Sequence, residues 1–161
     1  MKIHPQELEG LTRLGRALAG QQVGMLTLSE PSRNLSSRPL LPLEMDGDGR
    51  IWLFVSRRAL QPLLGARSEA ANLSFCDERR SLFVSITGKA ALATDAARKA
   101  ALWALPARPW FVPGPSDPDL GLLRVTPLRA EVWDGAHSTL IQLAAMAAPT
   151  PTPQLAPALG T

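Results

Sequence analysis

The sequence predicts a mainly β fold: an antiparallel β-barrel with short helices covering its ends. Three observations lead there. Six short runs, at residues 23–29, 37–45, 51–55, 70–77, 82–93 and 122–133, carry apolar and β-branched residues in the pattern of buried or half-buried strands. Between the second and third, Asp46-Gly47-Asp48-Gly49 is the clearest hairpin signal in the chain. No helical period separates the first three runs, which reads as a meander and disfavours a doubly wound α/β sheet.

The 161 residues suit one domain with a single sizeable core. We place that domain at residues 1–148 and a Pro-rich tail, expected to be disordered or extended, at 149–161. A hydrophobic fraction of 45% with 19% charged residues is that of a globular chain. Net charge is +3, and Arg57-Arg58 and Arg79-Arg80 are isolated pairs rather than a basic stripe. Nucleic acid is therefore not an expected partner. The single cysteine, Cys76, excludes an intramolecular disulfide and fits a reducing compartment. The first residues lack the apolar core of a signal peptide, and no apolar run approaches the ~20 residues that span a bilayer. The expectation is a cytoplasmic protein without a membrane partner.

Taken in order, residues 6–19 predict a helix, with Leu8, Leu11, Leu14 and Leu18 on one stripe. Residues 30–34 are turn chemistry. In the run 37–45, Pro39 and Pro42 each remove a ladder donor, so this strand is at an edge, bulged, or paired on one side, and a bulge would turn Arg38 out of the pleat. Ser56 is placed to cap a short helix over 58–66 that Pro62 shortens or bends. Gly88 inside the run 82–93 marks a bulge or barrel corner, and Pro127 another irregularity. Asp95 caps a helix reaching about residue 105. Residues 106–120 hold five prolines around Trp110-Phe111 and read as an ordered loop wrapping the body. Residues 137–148 read as a short terminal helix.

Candidate chemistry is sparse. The two histidines, His4 and His137, have no metal-ligand spacing and read as surface residues. Cys76 has acidic neighbours, Asp77 and Glu78, and reads as a small buried hydrophobe rather than a nucleophile. No Gly-rich phosphate loop and no hydrolase elbow occurs. What remains is Arg38 with Ser36 and Ser37, and Ser56 with Arg57 and Arg58. Arginine grips phosphate oxygens bidentately, and a Ser hydroxyl at a helix start adds donors. The competing reading is of solvated arginines at strand ends. The tryptophans read first as core, with Trp133, at a strand end, also placed to meet a ring.

Four places carry a resemblance: Ser37-Arg38-Pro39-Leu40; Trp52-Leu53-Phe54-Val55-Ser56; Asn72-Leu73-Ser74-Phe75 with Val84-Ser85-Ile86-Thr87-Gly88-Lys89-Ala90; and Trp110-Phe111 with Gly114-Pro115-Ser116-Asp117-Pro118-Asp119-Leu120 and Leu122-Leu123-Arg124-Val125-Thr126-Pro127. Together they resemble the general stress protein branch of the pyridoxamine-phosphate-oxidase-like split β-barrel flavoproteins. The resemblance implies a six-stranded split barrel, a homodimer, and FMN held at its interface. It implies Arg38 on the phosphate, Pro39-Leu40 along the isoalloxazine, Val55-Ser56 at the pair of positions that normally supplies hydroxyls to the phosphate, and Trp133 near the flavin from the partner subunit. Two positions depart from the pattern: Val55 stands where Thr is usual, and Gln61 where a phosphate-binding Lys is usual. Each lost charged hydrogen bond is worth about 1.5–3 kcal/mol, or roughly 10- to 100-fold in affinity. Arg57 or Arg58 is placed to compensate. The expected function is an FMN-dependent oxidoreductase whose catalytic residues and substrate the sequence does not name. The alternatives are a non-catalytic flavin- or anion-binding stress protein and a cofactor-free dimeric interaction module.

Overall fold

The computed structural model describes residues 1–65, 68–103, 114–135 and 139–142. Nine strands lie among them: β1 (Lys2–Ile3), β2 (Gly24–Ser29), β3 (Leu35–Leu40), β4 (Pro42–Met45), β5 (Ile51–Ser56), β6 (Glu69–Asp77), β7 (Leu82–Ala93), β8 (Leu120–Asp134) and β9 (Thr139–Gln142). Three α-helices accompany them: α1 (Glu9–Leu18), α2 (Arg57–Leu64) and α3 (Ala96–Trp103). The strands form one sheet in the order β1-β4-β5-β8-β7-β6-β2-β3, with β9 added to β8. The mainly β expectation holds, with more strands than six.

The extra strands have identifiable causes. The run expected as one strand over 37–45 is two, β3 and β4, parted at Leu41. Pro39 and Pro42 bring no amide hydrogen, so one ladder cannot continue through both. Among the described residues β3 pairs only with β2, and β4 turns to β5 with a register shift between Pro42 and Glu44. The first three predicted strands are thus two hairpins rather than one meander. The β2–β3 register is unbroken through Arg38, so the bulge lies in β4 and not at the arginine.

The expected C-terminal helix is also corrected: Thr139–Gln142 is a strand. β5 covers β8 only from Leu120 to Val125, which leaves the far end of β8 with an open edge. β9 fills it against Glu131–Asp134. The remainder of 137–148, Trp110-Phe111 and the Pro-rich tail lie outside the described residues.

The sheet is forced to curl. β3 and β4 stand near opposite ends of the strand order, yet only Leu41 lies between them. Two Cα steps reach at most about 7.6 Å, so the two sheet ends must approach. Inside the curl sits the main core, which includes Leu14, Leu26, Ile51, Leu53, Leu73 and Ile86. β5 is buried on both faces. Its odd residues, Ile51, Leu53 and Val55, face that core, while Trp52 and Phe54 join Leu43, Leu102, Leu120 and Leu122 in a second one. Each such side chain contributes about 1.5–3 kcal/mol when fully buried.

Local signals are mostly borne out. Leu11, Leu14 and Leu18 are buried, but Leu8 precedes the first helical residue and is exposed. Asp46 Oδ1 accepts from the Asp48 and Arg50 amides, which closes the β4–β5 hairpin. Thr87 pairs with Arg129 and Gly88 with Pro127, so Leu128 is the extra residue of a bulge. A side chain at Gly88 would overlap the Thr126 carbonyl. Asp95 caps α3 by accepting from the Arg98 amide at 2.8 Å. Cys76, in contrast, is exposed. It follows Asn72 and Ser74 on the outward face of β6, and strand alternation overrides its preference for burial.

α3 is fastened by Arg98. Its Nη2 lies 2.6 Å from Glu44 Oε1 and 3.3 Å from Asp46 Oδ2, and the guanidinium stands 4.4 Å over the Trp52 ring. Trp52 Nε1 donates to Asp46 Oδ2 at 2.8 Å. His4, expected at the surface, is half-buried against this group, its Nε2 3.1 Å from Glu44 Oε2. Glu44 is buried, so removing the cation strands its charge. Arg98→Met is expected to cost about 2–4 kcal/mol, somewhat under the figure for a fully buried pair because Arg98 keeps partial exposure. Urea unfolding measures this; a loss within error of zero would show that the cluster is inert.

Candidate functional site

The site is assembled where β3 meets the first turn of α2. The apolar run of β5 ends at Ser56, whose extended backbone and hydroxyl make it the N-cap of α2. Ser56 Oγ accepts from the Ala59 amide at 3.2 Å. From the sheet edge, Arg38 reaches the same turn: its Nη1 donates to the Ala59 carbonyl at 3.4 Å, and its Nη2 to Ser36 Oγ at 3.4 Å. Both contacts are long and both partners neutral. Among the described residues Arg38 has no ion pair, which leaves the guanidinium available to an anion.

The other candidates fall in different places. Pro39 is exposed on the edge strand, whereas Leu40 belongs to the core. Val55 is 1% exposed, so it points into the barrel and offers a ligand only backbone. Gln61 is exposed on α2. The stem of Arg57 lies across Gly121, so close that a side chain there would strike its Cγ. Arg57 lines a cleft of about 220 Å³ with Thr94, Asp95 and Lys99.

Trp133 stands at the other end of β8 from Ser56. β8 begins at Leu120, opposite Ser56, and Trp133 lies near its other end, opposite Phe83. Thirteen residue steps at ~3.3 Å separate it from Leu120 along the strand, but the sheet curls, and the cleft that Trp133 lines includes Met25, whose cross-strand partner is Pro39. Trp133 lines this shallow cleft of about 480 Å³ with Val23, Met25, Cys76 and Phe83. Val23, Met25, Phe83 and Trp133 are between 37% and 44% exposed, a run of apolar surface on one face.

Sequence reasoning did not assign Asp119 to the site. Asp119 Oδ2 accepts from Ser56 Oγ at 2.7 Å and Oδ1 from the Arg58 amide at 2.8 Å. Its own carbonyl takes the Arg57 amide at 2.8 Å. A local turn holds it in place: Asp117 Oδ1 accepts from the Asp119 amide at 2.9 Å. Asp119 stood in a stretch that carries the resemblance, just ahead of a strand, but nothing local says which helix it meets 61 residues away.

Hydrogen bonds from the Arg58 amide and then from Ser56 Oγ, with the Arg58 and Arg57 charges, hold the Asp119 carboxyl below its ordinary 3.8. A depressed carboxyl contributes stability that is complete above the unfolded value and is lost as pH falls through the folded one. The protein should therefore lose stability more steeply than Asp119→Asn as pH falls through 3.8 and below. Urea midpoints across that range test it; parallel curves would show the carboxylate is energetically silent.

The comparisons agree with this architecture. The family model described as pyridoxamine 5'-phosphate oxidase like matches residues 9–154. Among solved structures, a general stress FMN/FAD binding protein from the phytopathogen Xanthomonas citri is 31% identical, with a TM-score of 0.65 over 78% of this chain and 89% of that one. A general stress family protein from Xanthomonas campestris pv. campestris is also 31% identical, with a TM-score of 0.64 over 80% and 89%. A Clostridium acetobutylicum protein related to general stress protein 26 shares the fold at 19% identity, with a TM-score of 0.68 over 85% and 96%. No curated protein matches the sequence. With a family model covering most of its length and its curled sheet reproduced in these relatives, the chain belongs to the pyridoxamine 5'-phosphate oxidase-like family.

Proposed function

We propose that the protein binds FMN as a homodimer and serves as a flavin-dependent oxidoreductase of the general stress type. One observation carries the reading: Arg38, without a carboxylate partner among the described residues, faces the turn that Ser56 caps. The Arg38 guanidinium fits a flavin phosphate, while the Ser56 hydroxyl is given to Asp119. Arg38 would hold the phosphate, the exposed backbone at Pro39 would lie along the ring, and Gln61 would add a neutral contact where a cation is usual. Val55 and Leu40 support the site from the core. FMN, when bound, supplies the electron and hydride chemistry, and the chain binds and orients it.

The homodimer reading rests on the apolar outward face. The resemblance implies that Trp133 comes from a second copy, and within one chain it stands at the other end of β8 from Ser56. Val23, Met25 and Phe83 surround it and would be covered by that copy.

A second reading is a flavin-binding protein without turnover. It is favoured by the neutral Gln61 and the core-facing Val55, which leave the phosphate fewer donors. Binding of FMN with no reduction by NADH or NADPH would select it.

Two outcomes are expected. Flavin fluorescence should show saturable FMN binding, and Arg38→Ala should weaken it about 10-fold or more while circular dichroism stays unchanged. No binding at high micromolar FMN would remove the proposal, and equal affinity in the variant would put the phosphate elsewhere. Phe83→Asp should convert a dimer to a monomer by light scattering; a wild-type monomer would defeat the two-chain reading.

A further inference from the structure

The N-terminus of a helix attracts anions because its first amides lack partners and the helix dipole is positive there. In α2 these donors are already used. The Arg57 amide donates to the Asp119 carbonyl, the Arg58 amide to Asp119 Oδ1, and the Ala59 amide to Ser56 Oγ. The Ser56 hydroxyl hydrogen is given to Asp119 Oδ2 at 2.7 Å. A carboxylate of the chain thus sits where a phosphate would otherwise take two or three hydrogen bonds.

We propose that Asp119 is a built-in occupant of the anion seat at the start of α2, and that it sets ligand selectivity by denying this seat to the flavin phosphate. The inference rests on the flavin reading above and deepens it. With the seat filled, a phosphate keeps the Arg38 guanidinium, whose present contacts are long and neutral. It also meets the negative charge of Asp119 across the same turn. The depressed titration of Asp119 agrees with an anion well settled among donors. The phosphate therefore adds little to binding, and the protein discriminates weakly between FMN and riboflavin. Loss of the carboxylate charge would release the Ser56 hydroxyl and end the repulsion.

The test compares wild type, Asp119→Asn and Asp119→Ser by flavin fluorescence titration, with folding checked by circular dichroism. Wild type should bind FMN and riboflavin within about threefold of each other, and either variant should bind FMN about 10-fold more tightly with riboflavin unchanged. A wild-type preference for FMN of about 100-fold, or weaker FMN binding in the variants, overturns the proposal while leaving the flavin reading intact. If no form binds any flavin, the flavin reading falls and inorganic phosphate decides the rest. A thermal shift with phosphate in the variants alone supports Asp119 as the seat's occupant, and no shift in any form overturns it. Two variants that both fail to fold would make Asp119 purely structural and also overturn it.

Discussion

The molecule depends on one covalent constraint. A single stretch of chain, Leu35 to Met45, supplies strands near both ends of the sheet's hydrogen-bonded order. A flat sheet would separate those strands by six strand positions, about 29 Å at normal spacing. The short joint at Leu41 forbids this, so the sheet rolls and its inner face becomes a closed core. The two prolines beside the joint make the change of partner cheap, since neither had an amide hydrogen to lose. Rolling also brings edge strand β3 over the end of β5, where Arg38 reaches the first turn of α2. The candidate site follows from how the barrel closes.

Two polar clusters complete the architecture and differ in kind. Around Arg98, one cation serves two carboxylates in a partly buried setting and ties α3 to the β4–β5 hairpin. Around Asp119, one carboxylate serves hydroxyl and amide donors at an exposed helix start. The first resists removal because a buried charge cannot be left alone. The second lies nearer solvent, where each contact contributes less and salt screens its charges. A ligand that reaches the second meets donors the chain has already engaged.

Much of the fold was legible because local signals agreed with one another. The hairpin at Asp46-Gly47-Asp48-Gly49, the Ser56 and Asp95 caps and the bulge at Gly88 each have a short-range cause and appear as expected. The failures were of partnership. Pro39 and Pro42 marked an irregular strand, but nothing near Leu41 states that its two halves take partners near opposite ends of the sheet, and nothing in 139–142 states that β8 has an edge to fill. The exposure of Cys76 follows from which face of β6 is covered, which a composition rule cannot see. In the same way Arg38 and Ser56 were nameable as donors, while Asp119 emerged only when its distant partner turn was in place.

Cys76 leaves the protein with a natural gauge. It is the chain's only thiol, and it opens onto the apolar face beside Phe83 and Trp133. Whatever lies over that face governs how quickly alkylating reagents arrive. The unmodified molecule thus carries its own chemical clock for the state of its surface, readable by mass as one discrete adduct.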